Sequence, residues 1–256
     1  MIKLDAVSLV YDDGHRSVEA LHDLSLAVAR GEFVSIAGPS GCGKSTILHV
    51  IAGFIAPQSG TVTIDGKPVS GPGTDRGVVF QRHNLLPWKT VRENIALGPK
   101  VQDAPFEAQT RIADEWIARI GLRGFEDSYP DELSEGMRQR VGLARAFATD
   151  PAVLLMDEPF ASLDALTAIR MRELLVSMWE KSSKVVLFVT HDIDEAILLS
   201  DRVIVLTDRP ARVRKEVGID LARPRSYERS LDAGAETFRR ELRSLLLSSS
   251  QGVEEA

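Results

Sequence analysis

Hydrophobic and polar positions follow two different periods along this chain. Near the N-terminus Leu24, Leu26 and Val28 alternate with Ser25 and Ala27, the period of a half-buried strand, and residues 1–30 read as short strands. After Gly31, the run Phe33-Val34-Ser35-Ile36-Ala37 is short and mostly apolar, as a buried strand should be. A loop rich in Gly, Pro and Ser fills 38–43. Over 45–52 the spacing turns helical, with Ile47, Leu48, Val50 and Ile51 apolar and Gly53 placed to stop the helix. Residues 61–64 and 78–80 are further strand candidates.

From about 83 to 150 the pattern is helical. Thr90-Val91-Arg92-Glu93 has the spacing of a capping box. Pro105 opens a helix in which Ile112, Trp116 and Ile120 recur at i, i+4 and i+8, with Gly121 at its end. Three buried-strand candidates follow, at 153–156, 185–189 and 203–206, alternating with helical stretches around 164–180 and 193–200. This alternation predicts an α/β fold with a parallel sheet, into which 83–150 is inserted as a helical subdomain. Residues 246–256 are expected to form a disordered tail.

Composition narrows the classes without naming a chemistry. The chain has 256 residues, room for one large domain or two small ones, and at this length it can bury a core without staples. Its single cysteine, Cys42, excludes an internal disulfide and any multi-cysteine metal site. The net charge of −6 and the absence of a long basic block argue against a general nucleic-acid binder. No run approaches 18 consecutive apolar residues, and the first residues lack the apolar stretch of a secretory signal. The expectation is a folded intracellular chain with no span of its own.

Candidate chemistry changes the picture at residues 38–46. Gly38-Pro39-Ser40-Gly41-Cys42-Gly43-Lys44-Ser45-Thr46 fits the phosphate-loop pattern G-x-x-x-x-G-K-[ST], and it lies between a predicted strand and a predicted helix. Its glycines let backbone N–H groups curl around phosphate oxygens, and the helix beginning near Lys44 aims its positive end at them. Lys44 can reach the β- and γ-phosphates, and the Ser45 hydroxyl can ligate Mg²⁺. Cys42 reads first as a small loop residue and, by its place near a helix start, alternatively as a thiol of lowered pKa. A second element, Val153-Leu154-Leu155-Met156-Asp157-Glu158, is an apolar strand that ends in two carboxylates. Asp157 suits an outer contact to Mg²⁺, and Glu158 suits a base polarising the attacking water.

With these elements in place, the chain resembles the ATPase subunit of ATP-binding cassette transporters over about residues 1–245. The family's glutamine after a strand corresponds to Gln81, its signature to Leu133-Ser134-Glu135-Gly136-Met137, and its histidine after a later strand to His191. Ala161-Ser162-Leu163-Asp164 matches the short loop after the catalytic glutamate, and Tyr11 stands where the family places an aromatic that stacks on adenine. The resemblance implies a P-loop NTPase core with a mostly parallel sheet, an N-terminal antiparallel β subdomain and an inserted α-helical subdomain. It implies ATP and Mg²⁺ as ligands. Glu158, His191 and Gln81 would be catalytic, and Ser45, Gln81 and Asp157 would lie at the metal. Tyr11, Gly38, Ser40, Gly41, Cys42, Gly43, Lys44, Ser45 and Thr46 would hold the nucleotide. Ser134, Gly136 and Asp164 would meet it across a head-to-tail homodimer.

It also implies partners: integral-membrane permease subunits and, indirectly, a periplasmic or surface solute-binding protein, with the chain peripheral on the cytoplasmic face of the inner membrane. The segments 80–95 and 129–140 are similar to importers for nitrate, sulfonate, taurine and related small anions. The rivals are a soluble ATPase of the same fold uncoupled from transport, and a non-catalytic nucleotide-binding regulator, which would be expected to lack Glu158 or His191.

Three features stay open at this level. Glu135 replaces the family's usual glycine; it either points away from the nucleotide or repels a triphosphate and weakens dimer closure. Leu85, Leu86 and Trp88 are apolar residues in a loop-like setting, either core of the helical subdomain or a groove for a permease helix. The seven basic residues between Arg209 and Arg229, set against Glu216, Asp220 and Glu228, read as a solvated face or a weak attraction to anionic headgroups.

Overall fold

The computed structural model describes residues 1–81, 84–182, 184–223, 225 and 233–247. Its contacts group into two compact units, Met1–Gly73 with Val185–Ala256, and Thr74–Lys184. In chain order the first unit opens with β1 (Ile2–Asp12), β2 (Ser17–Val28), β3 (Phe33–Ala37), α1 (Lys44–Ala52), β4 (Ser59–Ile64) and β5 (Lys67–Pro68). The second contains β6 (Arg76–Val79), α2 (Val91–Ile95), α3 (Leu97–Val101), α4 (Phe106–Arg119), α5 (Glu135–Ala148), β7 (Val153–Asp157) and α6 (Ala165–Trp179). The chain then returns to the first unit through β8 (Val185–Val189), α7 (Ile193–Leu199), β9 (Arg202–Leu206), β10 (Val213–Gly218) and α8 (Ala233–Leu247).

The first unit holds two kinds of sheet. One is antiparallel, in the order β2-β1-β4-β5. Ile2 and Leu4 face Val28 and Leu26 on one side and Ile64 and Val62 on the other, all buried, while Lys3 and Asp5 between them are exposed. That alternation is the period-2 signature of a sheet wet on one face. In place of several short strands, β1 and β2 are long and broken by bulges. Two serines stitch the breaks: the Ala6 N–H donates to Ser25 Oγ at 2.9 Å and the Asp23 N–H to Ser8 Oγ at 2.9 Å.

In the other sheet β3 lies between β8 and β9, parallel to both, and β10 pairs antiparallel with β9. Every residue of β3 and β8 is buried, which is why these strands read as continuous apolar runs. Neither β10 nor α8 was expected from the pattern. β10 is an edge strand whose Arg214, Lys215 and Glu216 are exposed, and charge on an edge blocks pairing with other chains. α8 covers a core containing Ala196, Ile197, Val203, Val205, Ala235 and Leu242. Leu246 and Leu247 belong to α8, so the helix runs two residues into the expected tail; 248–256 lie outside the described residues.

The basic stretch is more than a solvated face. The Arg225 guanidinium donates to the carbonyls of Ile197, Ser200, Ile219 and Leu221, closing the C-terminal end of α7, where positive charge is favourable. Arg223 pairs with Asp201 at 2.7 Å. Arg229 lies outside the described residues.

In the second unit β6 and β7 pair in parallel, Val79 opposite Met156. Its helical core is built from Val91, Ile95, Ala113, Ile117, Ile120, Leu133, Val141 and Ala144. The buried stripe of α4 is therefore centred on Ala113 and Ile117, one residue beyond the predicted Ile112 and Trp116, which lie half-buried at its edge. Thr90 caps α2 through the expected box: Glu93 N–H donates to Thr90 Oγ1 at 3.3 Å and Thr90 N–H to Glu93 Oε2 at 3.0 Å. One turn on, the fully buried Asn94 holds the preceding loop. Its Oδ1 accepts from the Leu86 N–H at 2.9 Å, and its Nδ2 donates to the carbonyls of Leu86, Lys89 and Thr90. Replacing it strands buried backbone groups. Asn94→Ala is expected to cost about 2–3 kcal/mol in urea unfolding. Asn94→Asp, which keeps the volume and an acceptor but loses the donors, should cost a comparable amount; an unchanged Asp variant would contradict the hydrogen-bonding account.

Candidate functional site

The phosphate loop follows directly from β3. Gly41 and Gly43 have φ of 73° and 123°, conformations that side chains rarely adopt. At Gly43 space adds a second constraint, because a Cβ there would stand 2.9 Å from the Ala20 carbonyl oxygen. The Cys42 N–H donates to Pro39 O at 3.3 Å, closing the turn, and the Ile47 N–H to Gly43 O at 3.1 Å, starting α1. No side chain caps α1 and no acidic residue sits in its first turn. The first-turn N–H groups and the positive end of the helix are thus available to an anion. Lys44 is buried, and its ammonium donates to the carbonyls of Gly38 at 2.9 Å and Pro39 at 2.8 Å, so the cation is held across the loop.

Around this loop the first unit assembles further groups. Ser40 and Gly41 are exposed and Ser45 half-buried. Tyr11, near the end of β1, donates from its hydroxyl to Thr46 Oγ1 at 3.3 Å, which puts its ring beside the first turn of α1. Its ring remains 41% exposed. His191 follows β8 in a turn fixed on both sides. The Thr190 hydroxyl donates to Glu195 Oε2 at 2.6 Å, and Asp192 caps α7 by accepting from the N–H of Asp194 at 2.8 Å. A residue that sequence reasoning left in the basic stretch also arrives here: a Cβ on Gly41 would lie 3.3 Å from Arg209 Nη2. Its segment is tied down, since the Ala211 N–H donates to Ala20 O at 2.9 Å.

The second unit carries the carboxylates and the signature. Asp157 closes β7, and Glu158 follows with φ of 43°, a left-handed conformation that turns the chain sharply at the strand end. Gln81 stands exposed in a bend after β6. Ser134 caps α5, accepting from the Met137 N–H at 3.3 Å. Gly136 packs closely within the chain: a Cβ there would come within 2.7 Å of Thr167 Cγ2, so one of the two would have to shift. Asp164 caps α6, accepting from the Thr167 N–H at 3.0 Å; hydrogen bonds from the Thr167 side chain and backbone hold its carboxyl below the usual carboxylate range. One residue went unnoticed in the sequence. Gln139 of α5 is fully buried, and neither atom of its carboxamide has a partner among the described residues.

Burial decides between the alternative readings of two residues. Trp88 is 69% exposed, so it is not core of the helical subdomain, although Leu85 does pack against that core. Cys42 is not an activated thiol. It is only 1% exposed, and burial pushes its pKa above the ordinary thiol value, an effect that the nearby Lys44 charge only partly offsets. Iodoacetamide at pH 8 is therefore expected to alkylate Cys42 in the folded chain at least about tenfold more slowly than in the urea-unfolded chain. Equal rates would contradict the burial.

The profile of the ABC transporter family matches residues 21–161, more than half of the chain. An uncharacterized ABC transporter ATP-binding protein of Methanocaldococcus jannaschii is 49% identical over 224 residues, covering 88% of this chain and 84% of that protein. A taurine import ATP-binding protein of Rhizobium johnstonii is 48% identical over 224 residues, 87% of this chain and 86% of that one. Among solved structures, a dimeric ATP-binding cassette in a post-hydrolysis state, bound to ADP and Pi, is similar with a TM-score of 0.76 at 34% identity, over 87% of this chain and 100% of that one. With the phosphate loop, the carboxylate-bearing strand and these relatives together, the chain belongs to the ABC transporter family and is an ATPase cassette with the P-loop NTPase fold.

Proposed function

We propose that this cassette powers uptake of a small anion or organic solute of the taurine, sulfonate or nitrate kind through a separate membrane permease. The observation that carries the ATPase half is the uncapped start of α1 behind a glycine-shaped loop, with Lys44 held across it. The importer half rests on similarity to the Rhizobium taurine import ATP-binding protein and on the exposed Trp88. Among the described residues no helix is long and apolar enough to cross a membrane.

In this reading ATP sits with its phosphates on the N–H groups of 38–46 and its adenine against Tyr11. Lys44 offsets the charge of the β- and γ-phosphates. Glu158 takes the proton of the attacking water, and His191 donates to the γ-phosphate oxygen on which charge develops. Ser45, Asp157 and Gln81 offer the oxygen donors that would hold Mg²⁺, a hard cation that prefers oxygen ligands. When bound, Mg²⁺ neutralises charge on the β- and γ-phosphate oxygens.

Ser134 and Gly136 present the start of α5 to the nucleotide of a second copy, with Asp164 alongside, so two sites form in a head-to-tail homodimer. Bound ATP stabilises that closed dimer, hydrolysis removes the stabilisation, and the cycle shifts the permease between its two access states. The cassette thus works peripherally on the cytoplasmic face of the inner membrane, downstream of a solute-binding protein. Trp88 presents an indole at the surface of the second unit, where a permease's cytoplasmic helix would dock. The expected outcome for Trp88→Ala is loss of co-purification with the permease and of taurine or sulfonate uptake, while ATP binding survives. Uptake unaffected by the substitution would remove this residue from the interface.

A further inference from the structure

Glu135 stands where the family usually has glycine, and both of its carboxylate oxygens are occupied within the protomer. Oε2 accepts from Arg138 Nη2 at 2.8 Å and Nε at 3.2 Å. Oε1 accepts from the hydroxyl of Ser162 at 3.2 Å. Arg138 in turn donates to the carbonyls of Leu133 at 2.8 Å and Pro130 at 3.2 Å, so it also fixes the backbone that leads into the Ser134 cap. The charge of Glu135 is therefore balanced by a neighbouring guanidinium, and its free direction is taken up by a residue 27 positions away in sequence.

The surrounding packing brings the two segments together at this point. Gly136 of α5 and Thr167 of α6 approach so closely that a Cβ on Gly136 would stand 2.7 Å from Thr167 Cγ2. The starts of α5 and α6, capped by Ser134 and Asp164, thus lie against each other with their positive ends together. A carboxylate in the first turn of α5 is favourable to that field. One turn further along α5, on the face of Gly136, the buried Gln139 amide has no partner among the described residues and adds no polar link of its own.

We propose that Glu135 is a positioning residue: through Ser162 it bolts the signature at 133–137 to the loop at 161–164, so that both meet the partner protomer's nucleotide as one preformed unit. This rests on the composite-site reading given above. It reverses the sign expected of a carboxylate that repels phosphate: removing Glu135 should hinder ATP-driven dimer closure, because the two segments would then have to be ordered during closure.

The test uses the full chain carrying Glu158→Gln to arrest hydrolysis, with ATP-dependent dimerisation followed by analytical ultracentrifugation. Adding Glu135→Gly or Ser162→Ala should each raise the ATP concentration for half-dimerisation by about 3- to 10-fold, the scale of one partly exposed charge-assisted hydrogen bond. The double variant should be no worse than the singles, because both remove the same link. Ser162→Thr, which keeps the hydroxyl, should dimerise like the parent. Additive effects, a Ser162→Ala variant that behaves like the parent, or a Glu135→Gly variant that dimerises at lower ATP would each overturn the bolt. A parent that forms no ATP-dependent dimer would instead overturn the composite-site reading, and this inference with it.

Discussion

The chemistry of this chain depends on one local constraint, the turn by which β3 passes into α1. A helix can offer its first N–H groups to a phosphate only if nothing in the protein caps them and the preceding backbone leaves room for the ligand. Here Gly43 has no side chain to cap α1, and its φ of 123° and the Ala20 carbonyl oxygen 2.9 Å from a Cβ position hold glycine at this point of the turn. Lys44 then places the cation, pinned to two carbonyls of its own loop. The turn is rigid because β3 is buried between two parallel strands and every residue in it is apolar or small.

Other polar groups are placed by local turns and helix caps. His191 is held between the Thr190–Glu195 pair and the Asp192 cap. Glu158 leaves β7 in a left-handed conformation. Ser134 and Asp164 cap the two helices whose starts carry the signature and the following loop. The phosphate loop, Tyr11 and His191 lie in the unit that begins and ends the chain, and Asp157, Glu158 and the signature lie in the unit between.

Much of this was legible because its signals are local. The phosphate loop, the Thr90–Glu93 capping box, the buried strands and the helix stop at Gly53 each depend on residues within a few positions of one another. What escaped the sequence depends on distant partners or on burial. β10 carries Arg214, Lys215 and Glu216 on an edge, so it lacks the apolar alternation that marks a strand. Arg225 looks like surface charge until the end of α7 is brought to it. The position of Cys42 near a helix start was visible, but the packing that raises its pKa was not. The same holds for Glu135, whose character is set by Ser162 in another loop. Trp88 shows the converse, an apolar residue in sequence that the fold leaves at the surface.

On the proposed function, nucleotide binding and water activation fall to different residues, the loop at 38–46 and Glu158. This assignment is tested most directly by measuring ATP affinity and turnover side by side in the Glu158→Gln variant. The account predicts turnover lower by about 10²- to 10⁴-fold with equilibrium ATP affinity within about threefold of the parent, a difference below 1 kcal/mol. Affinity and turnover falling together, or turnover persisting at the parent rate, would contradict it.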